Sequence, residues 1–71
     1  MVLVYLKNGD CIEVMAAVST EEDDWTLSCL DRQGNPVATF ESATVERFTA
    51  DPEVAEQMEQ DDCEDLTIIP A

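Results

Sequence analysis

The sequence predicts a mainly β protein: a small five-stranded antiparallel barrel or curled sheet, followed by one short C-terminal helix and an extended tail. Turn signals separate short runs of β-branched and aromatic residues, and the alternating pattern gives way to helical spacing near residue 50. A chain of 71 residues makes one domain at most. We assign residues 1–50 to the sheet, and residues 51–71 to an acidic helix and tail packed on the same domain.

The first two predicted strands cover residues 2–7 and 10–18, on either side of Asn8-Gly9. Asn-Gly between two apolar runs favours a hairpin with a type I′ turn, in which both central residues have positive φ. In the second strand Ile12 and Val14 share one face, whereas Glu13 indicates solvent on the other.

The third predicted strand starts directly after an acidic loop. Residues 19–24 end in four consecutive acids, and Trp25, Leu27 and Cys29 then alternate with polar residues. This alternation predicts that the three side chains face inward, with Trp25 as the large core anchor. Cys11 and Cys29 are expected as small core residues.

The next turn and the last two strands have their own local signals. Gly34 suits the left-handed position of a bulged hairpin. Strands are expected at 37–40 and 44–48, with a short break at 41–43 that could form one 3₁₀ turn.

A helix is predicted to begin after Asp51, because Asp is a good N-cap and Pro52 suits the first helical position. Val54, Ala55 and Met58 form a narrow apolar stripe that could dock on the sheet. The helix should end near residue 60. Residues 66–70 are apolar again, and they form either a further strand on an open edge or an extended segment covering the core.

The segment Leu6-Lys7-Asn8-Gly9-Asp10 followed by Ile12 resembles the first half of the Sm motif, and the layout of residues 2–48 is similar to small SH3-like and Sm-like barrels. This resemblance implies five short strands with a turn between the fourth and fifth. It does not imply RNA binding, because the chain has no Arg-Gly segment near its last strands and lacks the usual N-terminal helix.

The inventory of reactive groups argues against an enzyme. The chain has no histidine and one lysine, Lys7, so nucleophile–histidine arrangements are impossible and no catalytic residue is predicted. No Cys-x-x-Cys pair, calcium loop or phosphate loop occurs, so no metal or cofactor is expected. Without a secretory leader or membrane span, the cysteines are expected as free thiols in a cytoplasmic protein, with Cys63 either an incidental surface thiol or a cross-link in a homodimer.

Seventeen acidic residues face three basic ones, which gives a formal charge of −14. Such a surface repels nucleic acid and anionic membranes and favours a basic protein partner. The predicted function is a non-catalytic acidic module that inhibits or sequesters a basic nucleic-acid-binding protein by imitating nucleic acid charge. In composition the chain is similar to acidic viral inhibitors, including anti-CRISPR proteins. The predicted partner-binding residues are Glu21, Glu22, Asp23, Asp24, Glu53, Glu56, Glu59, Asp61, Asp62, Glu64 and Asp65.

Two alternatives remain open from the sequence. The acidity could be an adaptation to high salt in a small barrel with a scaffold role. The open strand edges, or residues 66–69, could instead pair with another chain, which would make the protein an assembly module.

Overall fold

The computed structural model describes residues 1–70; Ala71, the last residue of the predicted tail, lies outside the described part. It contains one α-helix, one 3₁₀ turn and seven strands in two sheets, ordered β6-β1-β2-β7 and β3-β4-β5. The elements are β1 Val2–Leu6, β2 Asp10–Val14, β3 Ser19–Glu22, β4 Thr26–Leu30, β5 Pro36–Glu41, the 3₁₀ turn Ser42–Thr44, β6 Val45–Thr49, α1 Pro52–Asp61 and β7 Asp65–Ile69.

The mainly β class with a short C-terminal helix is therefore confirmed. The predicted five-stranded antiparallel barrel or curled sheet is not found, because residues 1–70 form seven strands in two sheets and β7 pairs parallel with β2. The strands of the described part divide between two sheets, and neither sheet closes on itself. The division leaves open strand edges, which a barrel would have removed.

The molecule has three layers, with the four-stranded sheet in the middle. Val2 and Val4 of β1 pack with Leu27 and Cys29 of β4, on the face covered by the three-stranded sheet. Leu3, between them in sequence, packs on the opposite face with two residues of α1. Because successive side chains of a strand point to opposite faces, β1 is buried on both sides.

The two glycine turns differ in how well the sequence predicted them. Gly34 has φ 83° and donates to the Asp31 carbonyl at 3.0 Å, which confirms the left-handed position. Gly9 has φ 97°, but Asn8 has no positive φ, so the predicted type I′ turn is wrong. The Gly9 N–H donates to the Leu6 carbonyl at 3.0 Å, so residues 6–9 form a four-residue turn whose last residue is the left-handed glycine.

The strand β3 was not predicted. Residues 19–22, expected in a loop, pair antiparallel with β4, in a register that places Glu21 opposite Ser28. This strand lies at the edge of its sheet, and most of its side chains are exposed. Because an exposed strand needs no alternation of apolar and polar residues, its polar sequence resembled that of a loop. Only Asp23 and Asp24 of the acidic run belong to the turn that follows.

The helix is formed as predicted. The Asp51 carboxylate accepts the Glu53 N–H at 2.9 Å, and Pro52 is the first helical residue. Ala55 and Met58 are buried against β1, whereas Val54 is exposed. The docking stripe is therefore narrower than the sequence indicated.

Two cysteines form a bond that was not expected. Cys11 of β2 and Cys63, just after α1, form a disulfide with a Cα–Cα distance of 5.5 Å. The prediction of free thiols is wrong for this pair and correct for the buried Cys29. The cysteines therefore give no support to a reducing compartment. Of the two alternatives for the last apolar segment, the structure has the strand: β7 pairs parallel with β2.

Candidate binding surface

Four segments that are distant in sequence lie side by side at one end of the molecule. They are the β3–β4 turn, the 3₁₀ turn, the β1–β2 turn and the segment that leads from α1 into β7. Three backbone hydrogen bonds join them: Ser42 N–H to the Trp25 carbonyl at 2.9 Å, Lys7 N–H to the Thr44 carbonyl at 2.9 Å, and Glu64 N–H to the Gly9 carbonyl at 3.0 Å. We call this end of the molecule the turn end.

The turn end brings together the ends of both acidic segments. Asp23 and Asp24 lie in the β3–β4 turn, and four further acids lie between the end of α1 and the start of β7. Asp10 and Glu41, which the sequence analysis did not single out, lie at the same end. The predicted residues that meet here are Asp23, Asp24, Asp61, Asp62, Glu64 and Asp65.

The other predicted residues lie elsewhere. Glu21 and Glu22 extend along β3, and Glu53 and Glu56 are exposed on the first half of α1. The helix and the three-stranded sheet cover opposite faces of the four-stranded sheet, so these two pairs lie on different layers. The acidic segments meet at the turn end and diverge away from it.

Glu59 differs from the other predicted residues because it is partly buried. Desolvation raises the pKa of its carboxyl, and repulsion from Glu13 and Glu56 acts in the same direction. Glu59 is therefore a weaker candidate for contact with a partner than the exposed carboxylates.

Trp25 is the largest departure from the sequence prediction. It lies directly before β4 with 81% of its surface exposed, so the prediction of a core anchor is wrong. The alternation that places Leu27 and Cys29 inward does not extend to Trp25, because the chain is already in the turn there. A tryptophan directly after four acids was the signal available in the sequence for a surface residue.

The Asp23 carboxylate fixes the backbone that presents Trp25. It accepts the N–H groups of Trp25 and Thr26, each at 2.8 Å, and the Thr26 hydroxyl at 3.1 Å. These hydrogen bonds hold the pKa of Asp23 below its ordinary value, the backbone bonds contributing most. Asp23 is thus a structural residue of the turn rather than a free contact group.

Positive charge does little to offset these acids. Arg47 forms the one ion pair found among residues 1–70, with Asp62, and its guanidinium lies 5.3 Å from the Tyr5 ring centroid. Lys7 is exposed in the β1–β2 turn, and Arg32 lies in the β4–β5 turn at the opposite end. Most carboxylates of the turn end therefore have no charged partner within the described chain.

The described residues contain no cluster of three cysteine or acidic side chains arranged to hold a metal ion. The helix of residues 52–61 is far too short and polar to cross a bilayer, and no other α-helix occurs in the part of the chain that the structure describes. No known protein family, curated protein or solved structure matches the sequence or the fold.

Proposed function

We propose that this chain is a non-catalytic binding module whose turn end occupies the basic surface of a nucleic-acid-binding protein and so sequesters or inhibits it. The observation that carries the proposal is the convergence of two acidic segments, about forty residues apart in the chain, beside an exposed tryptophan. Their carboxylates stand in for the phosphates that the partner would otherwise bind.

The charge distribution supports a basic partner. Carboxylates that have no cation beside them produce a negative potential extending beyond the surface, and this potential accelerates association with a positively charged protein. Salt screens such attraction over about 8 Å at physiological ionic strength. The complex should therefore form at low salt and dissociate at high salt.

Trp25 supports a specific contact in addition to charge. Tryptophan is enriched among the residues that contribute most to binding energy at protein interfaces, and its ring face also attracts lysine and arginine. An open concavity of about 790 Å³ beside the ring is bordered by Asp24 and Glu41. This arrangement of one aromatic ring and two carboxylates suits the side chain of an arginine.

The composition supports binding rather than catalysis. The chain has no histidine, and the carboxyl whose pKa is raised, that of Glu59, owes this mainly to desolvation. That carboxyl lies on the helix, away from Trp25, and its charged neighbours are the carboxylates of Glu13 and Glu56.

A two-step experiment tests the proposal. The immobilised protein is exposed to a lysate at low salt, and proteins released by high salt are identified and purified. We expect a basic nucleic-acid-binding protein whose binding to a labelled oligonucleotide is competed away by the free chain. If the purified protein binds oligonucleotide equally well in the presence of excess chain, it does not use the same surface, and the proposal fails.

A further inference from the structure

The strand β7 ends the four-stranded sheet, and one of its edges is open. Among residues 1–70 it pairs with β2 alone. The Ile69 carbonyl accepts the Met15 N–H of the chain following β2 at 2.9 Å, so Ile69 directs its polar groups inward. Successive residues of a strand direct these groups to opposite edges, so those of Leu66 and Ile68 point away from β2. They are free to pair with another strand.

Two of the other open edges, those of β3 and β6, are protected by charges within the strand, and β7 has none after its first residue, Asp65. Charged or proline residues interrupt an edge strand and prevent pairing with other chains. The edge strand β3 carries two glutamates, β5 begins with a proline, and β6 carries an exposed glutamate and arginine. β5 and β7 each have four uncharged residues between a proline and a charged residue: Pro36 and Glu41 bound those of β5, and Asp65 and Pro70 bound those of β7. β7 differs from β5 because two large apolar side chains, Leu66 and Ile68, are exposed on it.

Apolar side chains are exposed along this edge. Leu66 and Ile68 are 44% and 51% exposed, and Met15, just after β2, is 54% exposed. Leu66 and Ile68 lie opposite Cys11 and Glu13 in the register with β2, so they share the face on which α1 lies. The helix packs on β1 and β6 and leaves this part of the face uncovered.

The edge is held in place before any partner arrives. The disulfide joins Cys63, two residues before β7, to Cys11 of β2, and the Glu64 N–H bonds the Gly9 carbonyl. A fixed template does not lose conformational freedom when a second strand pairs with it.

The negative charge of the chain determines which kind of strand can pair with β7. A second copy of this chain would bring another formal charge of −14 against the first, whereas a basic segment would meet Glu64 and Asp65 where β7 begins. We propose that β7 is a docking edge for an extended basic segment of the partner, which adds a strand beside Leu66–Ile69 and places lysine or arginine beside Glu64 and Asp65. This inference rests on the proposed function for the basic nature of the partner.

The test uses two synthetic peptides of equal charge. Both alternate valine and threonine between terminal lysines, and the second is N-methylated at every other amide, which removes the donors needed for strand pairing. We expect the first peptide to slow hydrogen exchange at the Leu66 and Ile68 amides and the second to bind about tenfold more weakly, as expected for a few lost hydrogen bonds. Equal binding of the two peptides without protection of these amides would overturn the docking edge.

Two variants complete the experiment. Ile68→Pro removes an outward-facing N–H without removing a bond to β2 and should abolish protection at Leu66, whereas Ile68→Thr keeps that N–H and should retain it. Protection of Leu66 and Ile68 in the free protein, together with a dimer in sedimentation, would show self-pairing and overturn the inference. The proposed function is judged separately: it fails if the intact partner is not competed from oligonucleotide, whatever the peptides do at β7.

Discussion

At the scale of single residues, the structure separates acids that shape the protein from acids that are free to bind. Asp23 and Asp51 are hydrogen-bonded to backbone N–H groups of a turn and of a helix, whereas Glu64 and Asp65 are exposed beside the open edge of β7. The sequence made this distinction for Asp51, which Pro52 identifies as a helix N-cap, but not for Asp23, which was grouped with the binding residues. The distinction decides which substitutions report on folding and which report on binding.

Trp25→Ala should hardly change stability. An exposed side chain contributes little to the core, so the free energy of unfolding in urea should change by less than about 0.5 kcal/mol. Leu27→Ala is the matched control, because Leu27 lies two residues after Trp25 and is fully buried. This substitution should lower the free energy of unfolding by about 2–5 kcal/mol. Equal losses in the two variants would mean that Trp25 packs into the core in solution.

The β3–β4 turn should be sensitive to acid. Hydrogen bonds to the Asp23 carboxylate lower its pKa in the folded protein below the ordinary value of 3.8. The turn is therefore fully ordered above pH 3.8, and it loses this order as the pH falls through the pKa that Asp23 has in the folded protein. The NMR signals of the Trp25 and Thr26 amides should therefore titrate with a midpoint below 3.8. Asp23→Asn keeps an acceptor oxygen and should remove this titration; a midpoint above 3.8 in the wild type contradicts the account.

At the scale of elements, the helix and the Gly34 turn, which depend on neighbouring residues, were predicted. The strand β3 and the disulfide, which depend on residues distant in sequence, were not. The start of the helix depends on Asp51 and Pro52, and the β4–β5 turn depends on a glycine at the position with positive φ. Both features were predicted from these few neighbouring residues. The strand β3 depends on its partner β4, and the disulfide joins residues 52 apart. Neither leaves a local pattern.

The disulfide should contribute substantially to stability. A cross-link across 52 residues restricts the unfolded chain, and the chain-entropy estimate is about 4 kcal/mol. Reductant should lower the urea midpoint of the wild-type protein and should not affect Cys63→Ser, whose stability should already match that of the reduced protein. A wild-type chain that titrates as three free thiols without reductant would show that the bond is absent.

At the scale of the whole molecule, the fold determines where the charge accumulates. The strand β1 is covered on both faces, so α1 and the three-stranded sheet lie apart, and their acidic segments meet only where the turns come together. Six of the acids that meet at the turn end were predicted from the sequence, because charge is visible in composition, and two others, Asp10 and Glu41, were missed. The sequence analysis could not identify their convergence, because that follows from the two-sheet arrangement.

The central claim is that the turn end, rather than total charge, binds the partner. Two variants of identical net charge test it: Glu64→Gln with Asp65→Asn at the turn end, and Glu53→Gln with Glu56→Gln on the first half of α1. Each is measured by competition for the captured protein against a labelled oligonucleotide at low salt. We predict that the turn-end variant competes at least about tenfold less well and the helix variant less than about threefold less well. Equal losses would show that the charge acts without a defined surface, and would contradict the account.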